Sequence, residues 1–310
     1  MDDQFRFFTE VQRTEIEPML AELGSAKDLD RKDWLYEKKI DGVRCVAVLA
    51  DKTELQSRTG KPITQRFPEL VDLHRQAGKS CVLDGEIAGT DFNAIQHRIH
   101  LQSPFRIRIA RTQYPIYYYV FDILYLDGES VKQQPLITRK AILNDILAPG
   151  PYAKPLEWAD SGESLFEEQK QKGLEGIMAK DKYATYLEGK RWPTWLKVKN
   201  FKEAPYYICG ATEGENDRSD TFGSLILGEL VDGKLTYVGN VGSGFTHSQL
   251  SATLAALTLY KGGCPFEAKP DIDRPVKFWA RPELKCEVRY LYMPEPGAKL
   301  RFPTFRKMVS

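Results

Sequence analysis

The segment Glu37-Lys38-Lys39-Ile40-Asp41-Gly42-Val43-Arg44 sets a lysine two residues before an Asp-Gly turn signal and an arginine five residues after that lysine. A lysine amine attacks an electrophile only when neutral. Its free pKa of about 10.4 means that a working value near 7 to 8 needs a shift of roughly 3 units, or about 4 kcal/mol of environment. Burial and neighbouring cations can supply that. Taken alone, the segment reads equally well as a surface hairpin with solvated charges. Farther along, Lys197 and Lys199 leave one face of a strand-like run, Trp195-Leu196-Lys197-Val198-Lys199. Two lysines on one inward face are costly to bury without an anion, and a phosphate is their natural occupant. Glu86, in Asp84-Gly85-Glu86, and Glu175, in Glu175-Gly176-Ile177-Met178-Ala179-Lys180, are hard oxygen donors suited to magnesium or manganese. Arg58 stands at a turn in Ser57-Arg58-Thr59-Gly60, and Phe121 closes an aromatic strand before Asp122. Arg58 is otherwise plain turn chemistry, and Phe121 otherwise plain core.

The elements that must position these groups follow from periodicity and punctuation. Residues 34–49 read as strand, turn, strand, with Asp41-Gly42 at the turn. A helix is expected over 68–76, a strand with a turn-like centre over 82–87, and a buried central strand over Ile116–Leu126. In that strand Tyr117, Tyr118 and Tyr119 suggest base stacking, but alternate members of a central strand are more often core. Short helices are expected over 140–147 and over 163–171, the latter ended by Gly173. Past residue 200 the texture changes to short β-like runs, 206–211, 224–230, 234–238, 276–280 and 286–292, around one helix capped by Thr246 with Gln249 three residues on. That pattern suggests a small barrel of the OB type. The expected organisation is therefore α+β: an antiparallel-sheet domain over 1–203, then an OB-fold barrel over 204–310.

The 310 residues hold 44 Lys plus Arg against 43 Asp plus Glu, a net charge of +1, so bulk charge points to no polyanionic partner. One local cluster does. Residues 97–111 hold His97, Arg98, His100, Arg106, Arg108 and Arg111 with no acid among them, and read as a loop that contacts phosphates. The five cysteines form no C-x-x-C pair and no zinc spacing, which fits small core residues in a reducing cytosol. No apolar stretch is long enough to span a bilayer, and the acidic start Met1-Asp2-Asp3-Gln4 lacks signal-peptide character. A soluble cytoplasmic monomer is expected. There is no P-loop, and Gly239-x-x-Gly-x-Gly244 lacks the spacing and βαβ setting of a dinucleotide loop.

In order and spacing, these segments resemble the motif series of the covalent nucleotidyltransferases, from about Trp34 to Arg306. That superfamily comprises ATP-dependent DNA ligases, RNA ligases and mRNA capping enzymes. The stretches Phe92-Asn93-Ala94-Ile95-Gln96-His97-Arg98, Gly223-Ser224-Leu225-Ile226-Leu227-Gly228 and Val238-Gly239-Asn240-Val241-Gly242-Ser243-Gly244-Phe245 look most like the ligase modules of bacterial and archaeal non-homologous end joining. The resemblance implies an ATP-dependent DNA ligase in which Lys39 attacks the α-phosphate of ATP and carries AMP, with Asp41 beside it. It implies that Glu37 reads the adenine amino group and that Phe121 and Met178 belong to the base pocket. Arg44 and Glu86 would hold the ribose, with Glu86 near metal and Arg58 on a phosphate. Glu175 would bind the catalytic metal, Lys197 and Lys199 would grip the α-phosphate, and Arg301, in Leu300-Arg301-Phe302-Pro303, would orient the departing pyrophosphate. Arg98, Arg106, Arg108 and Arg111 would contact DNA. The implied partners are nicked or broken duplex DNA in the nucleoid, with Ku and a repair polymerase, since no DNA-encircling domain is expected before the catalytic one. The end of the chain, Thr304-Phe305-Arg306-Lys307-Met308-Val309-Ser310, departs from the basic, acidic, basic cluster usual there. An RNA ligase or capping-type enzyme, and a non-catalytic end-binding protein, are the rival readings.

Overall fold

The computed structural model describes residues 16–89, 92–291 and 297–309, without the side chains of 92–94. The acidic start at 1–4, position 292 of the expected last strand, and the side chains of Phe92, Asn93 and Ala94 therefore lie outside the described residues. Two compact units emerge. The first runs up to Lys170 and includes Glu175–Lys199; the second holds Gln171–Leu174 and Asn200 onward.

The first unit contains two sheets. One runs in the order Leu20–Leu23, Arg191–Lys199, Gly176–Asp181, Trp34–Lys38, Trp158–Ala159. The other runs Thr53–Ser57, Val43–Leu49, Cys81–Gly89, Ile116–Leu126, Glu129–Ser130, with Ala153–Pro155 paired in parallel to Ile116–Leu126. Period-two alternation gives each strand two faces. Between the sheets lies a cluster of Val46, Val48, Val82, Phe121, Leu124, Tyr186 and Trp195. Behind the second sheet Cys45, Leu83, Tyr118 and Val120 pack with Leu73 and Leu143 of the helices Leu73–Ala77 and Leu136–Ile146. Behind the first, Tyr36, Ile177 and Val198 pack with Leu165 and Phe166 of the helix Gly162–Gln171. Each fully buried large apolar side chain of these layers contributes ~1.5–3 kcal/mol.

The segment 34–49 forms its two strands but no hairpin: Trp34–Lys38 pairs with Gly176–Asp181 in one sheet, Val43–Leu49 with Cys81–Gly89 in the other. Asp41-Gly42 is a crossing between sheets. Gly42 is needed because a Cβ there would lie 2.2 Å from the Ile87 carbonyl oxygen. The turn expected inside 82–87 is likewise replaced by continuous strand Cys81–Gly89, where a Cβ on Gly85 would lie 2.5 Å from the Tyr119 carbonyl oxygen. The basic region 97–111 is no loop. Most of it lies in the helices Phe92–Ile99 and Pro104–Gln113, the second opened by a proline that has no N–H to leave unpaired. Over 68–76 a 3-10 turn, Pro68–Leu70, precedes the short helix Leu73–Ala77.

The second unit is one sheet, Lys234–Val241, Leu225–Val231, Phe201–Thr212, Lys285–Leu291, Arg301–Val309, with Val276–Trp279 paired to Phe201–Thr212. Its outer strands approach each other where Ser243 bridges Thr304 and the Phe305 N–H donates to the Ser243 carbonyl at 2.9 Å. That contact curls the sheet into an OB-type barrel around Ile208, Leu227, Val288 and Phe305. The helix His247–Ala256 starts at the expected Thr246, which makes both bonds of a capping box with Gln249. Strand Phe201–Thr212 starts earlier than the sequence suggests and pairs from Phe201↔Leu291 onward, so the units divide at Lys199/Asn200. Among the described residues no helix is long and apolar enough to cross a membrane.

Candidate active site

Lys39 follows directly on the strand Trp34–Lys38, and its N–H donates to the Gly176 carbonyl at 3.0 Å. This backbone bond places Lys39 next to Glu175. Its Nζ lies 2.7 Å from Glu175 Oε2, and Lys199 Nζ lies 3.1 Å from the other oxygen, Oε1. Cross-strand pairing aligns Lys197, Met178 and Glu37 in one row, and Lys199 with Gly176 beside it. Cross-strand partners share a face, so these groups converge between the sheets. Burial raises the Glu175 carboxyl pKa, but the Lys39 and Lys199 ammoniums outweigh it and hold the group below its ordinary value. Burial, then the charges of Lys199, Arg191 and Lys39, pushes the Lys197 amine down. Three lysines around one carboxylate leave an excess of positive charge that suits an anion.

The facing sheet supplies Arg44 and Glu86, register partners on Val43–Leu49 and Cys81–Gly89. The Arg44 guanidinium is bidentate to Asp84, Nε to Oδ1 and Nη2 to Oδ2, both at 2.6 Å, and Nη2 also donates to the Met19 carbonyl at 3.2 Å. The Tyr186 hydroxyl donates to Asp84 Oδ2 at 2.6 Å and accepts from the Met19 N–H at 2.9 Å. Burial works against the charged guanidinium, yet Asp84 more than offsets this and raises its pKa. Glu86 is pushed up to about 7 by burial, against the pull of Arg44 and Lys39.

Phe121 is almost fully buried. The Arg44 guanidinium carbon sits 4.5 Å from its ring centroid and Lys180 Nζ 4.3 Å; Lys180 Nζ is also 4.0 Å from the Trp195 ring. Glu37 has no exposed surface and is paired with two buried lysines: Lys140, on the helix Leu136–Ile146, and Lys180 at 2.6 Å. Burial lowers the Lys180 pKa to about 8, with Glu37 pulling the other way.

The structure thus gathers Glu37, Lys39, Arg44, Glu86, Phe121, Glu175, Met178, Lys197 and Lys199 between two sheets, with Asp41 half-buried in the crossing. Arg58 sits exposed in the turn after Thr53–Ser57, and among the described residues no contact joins it to this cluster. Arg301 begins a strand of the second unit, its guanidinium carbon 5.8 Å from the Phe302 ring centroid. Arg106, Arg108 and Arg111 are exposed on the helix Pro104–Gln113. Arg98 needs correcting as a DNA contact. It is 1% exposed and bidentate to Glu69 at 2.7 and 2.9 Å, over the Phe67 ring at 5.1 Å. It ties the helix Phe92–Ile99 to Pro68–Leu70, because a buried guanidinium needs a carboxylate more than the surface needs another charge. Residue types and spacing assigned no role to Lys140, Tyr186, Lys180 or Trp195, and left Asp84 between a turn residue and a metal neighbour. Asp84 carried a signal, a carboxylate inside the apolar run Val82-Leu83-Asp84-Gly85, whereas Lys180 stands beside Asp181 and reads as a strand end. Lys140 carried none, since its partner lies 103 residues away.

The family model described as "ATP dependent DNA ligase domain" matches residues 18–199, and that described as "ATP dependent DNA ligase C terminal region" matches 218–309. The chain is 35% identical over 294 residues to the multifunctional non-homologous end joining protein LigD of Mycolicibacterium smegmatis. The match covers 93% of this chain but 38% of that protein. The crystal structure of the ligase domain from M. tuberculosis LigD is similar at 27% identity and a TM-score of 0.52, covering 95% of each chain. A mycobacterial DNA ligase D complexed with ATP and MES is similar at 26% identity and a TM-score of 0.54, again over 95% of each. With both halves matched in order and the site residues converging in the first, the chain belongs to the ATP-dependent DNA ligase family.

Proposed function

We propose that the chain seals nicks between a 5′-phosphate and a 3′-hydroxyl in duplex DNA through an AMP-lysine bond at Lys39, in the repair of double-strand breaks by end joining. The observation that carries this reading is Lys39 and Lys199 on the two oxygens of Glu175, with Lys197 alongside. In the first step the Lys39 amine, its proton handed to the Glu175 side, attacks the α-phosphorus of ATP. A phosphoramide bond forms, the bond to the bridging oxygen breaks, and pyrophosphate leaves. Lys197 and Lys199 neutralise the α-phosphate, since phosphoryl-type transfer depends on alignment and charge compensation more than on acid–base chemistry. Glu37, Phe121 and Met178 form the base pocket, Arg44 and Glu86 hold the ribose, and Arg58 and Arg301 take phosphate groups. AMP then passes to the 5′-phosphate, and the 3′-hydroxyl attacks that phosphate and releases AMP.

A magnesium or manganese ion fits the donor set. Glu86 is a carboxyl whose charge is under-compensated, held up to about 7, and Glu175 faces the same space. Such an ion takes one or two carboxylates and fills its remaining positions with water and phosphate oxygens. Bound there, it would supply neutralisation of phosphate charge. The exposed arginines 106, 108 and 111 serve as duplex contacts, and a monomer partnered by Ku and a repair polymerase fits the LigD likeness, as does action in the nucleoid of the cytoplasm.

The test is incubation with α-labelled ATP and magnesium or manganese, then a denaturing gel and a nick-sealing assay. Wild type takes up label and seals; Lys39→Ala does neither. Label on the Lys39→Ala protein, or none on wild type shown to be free of bound AMP, would overturn the assignment.

A further inference from the structure

The strand Ile116–Leu126 sorts its consecutive tyrosines by face. Tyr118 is buried in the layer behind the sheet, whereas Tyr117 and Tyr119 are half-buried on the opposite face. Register continues that face outward from the site: Arg44 pairs with Glu86, Glu86 with Tyr119, and Tyr119 with Lys154. Four strands thus carry one row, which begins at Arg44, the arginine proposed to hold the ribose, and ends at a lysine. Tyr119 packs at the edge of the cluster that holds Phe121. The Tyr117 and Tyr119 rings stand 5.1 Å apart at 47°, and Lys154 Nζ is 5.7 Å from both centroids. The Tyr117 hydroxyl donates to the Gly150 carbonyl at 2.6 Å, which fixes that ring.

Two held aromatic rings with one ammonium form a combination that binds polynucleotide strands without regard to sequence. Rings stack on bases and sugars, and the cation meets the phosphate between them. Charge and continuity single out this occupant. The row starts among Lys39, Arg44 and Lys197, and leads away from the place where the phosphate would react.

We propose that Tyr117, Tyr119 and Lys154 bind the DNA strand leaving the reaction centre, the rings against the nucleotide beside the nick and the lysine on its phosphate. This rests on the ligase reading.

The experiment measures binding of a nicked duplex by fluorescence anisotropy over a salt series, alongside AMP labelling and sealing of a pre-adenylated nick. Tyr119→Leu and Tyr117→Leu are expected to weaken binding about tenfold or more, since a stacking ring contributes at that scale. They should raise KM for the nicked duplex while labelling by ATP proceeds. Tyr119→Phe should bind as wild type, because the ring acts and the hydroxyl does not. Lys154→Met, which removes the charge and keeps an unbranched stem, should reduce the slope of log K against log salt by about 0.9. Unchanged affinity in the leucine variants and unchanged slope in Lys154→Met would overturn the inference. So would a Tyr119→Leu protein whose KM rises for ATP but not for DNA. A wild type that binds nicked duplex but takes no label would sink the ligase reading alone, and the anisotropy arms would still decide this one.

Discussion

Two lysines meet one carboxylate at Glu175, with the charge of Lys197 felt beside them, and two more meet one carboxylate at Glu37. The two groupings differ in access. The Glu175 group lies beside the half-buried amine of Lys39, whereas the Glu37 group is wholly enclosed. Removing a buried partner leaves the other charge uncompensated, at a cost of about 3–5 kcal/mol. Lys140→Met still leaves Lys180 on Glu37, so its loss in a urea titration should fall at or below the low end of that range. The same change removes a positive charge that holds Lys180 down, so the Lys180 pKa should rise from about 8. The pH dependence of KM for ATP reads this, and a profile identical to wild type would refute the coupling. Glu86 carries the opposite sign. Its folded pKa of about 7 exceeds the ordinary value of 4.5, so the folded state keeps a proton that the unfolded chain has released between those limits. Its contribution is full below pH 4.5 and is lost as pH rises through 7. Glu86→Gln should therefore flatten stability against pH over that window and gain up to about 3 kcal/mol above it. Denaturant midpoints at pH 5 and 8 without nucleotide check this; parallel shifts at both would contradict it.

Among the elements, the crossing Lys39-Ile40-Asp41-Gly42 matters most, because it delivers Lys39 to one sheet and Arg44 to the other. Its closeness to Ile87 leaves no room for a side chain. Gly42→Ala should cost several times the ~1 kcal/mol of a typical point substitution and should also abolish AMP labelling, since the crossing must move off the strand Cys81–Gly89 to admit the methyl. Gly233, with φ +79 and nothing within 4 Å of a built Cβ, is the control: alanine there should cost only backbone strain and leave labelling intact. Equal midpoints for the two variants would show that the crossing yields more readily than the packing indicates.

For the molecule as a whole, the division at Lys199/Asn200 puts every proposed group but Arg301 in the first unit. If Arg301 acts on the departing pyrophosphate, its role ends with the first step. Arg301→Ala should slow labelling by ATP about a hundredfold, the scale of one lost transition-state charge contact, and leave sealing of a pre-adenylated nick within a few-fold of wild type. Equal loss in both assays would assign it to DNA binding instead. The chain spans 38% of the LigD relative it matches, so partners of the full relative are to be sought by adding them, not assumed.

The ligase family and the class of fold were legible in the residues alone. Lysines of period two, hard carboxylates and a lysine near Asp-Gly are local patterns, and local patterns survive in one dimension. The capping box at Thr246 and the strand Ile116–Leu126 were legible for the same reason. Which charges are enclosed, and by what, depends on the packed fold. Arg98 looked like a surface cation until Glu69 closed on it, and one of the two partners of Glu37 came from a helix 103 residues away. The Asp-Gly that reads as a hairpin joins two sheets, because strand pairing is chosen by burial on both faces and not by the turn between. Tyr118 went to the core and its neighbours toward the site, a sorting that alternation allows but that only the packed sheet assigns. Pairing over long separations is a property of the folded chain, and the ion pairs of this site are of that kind.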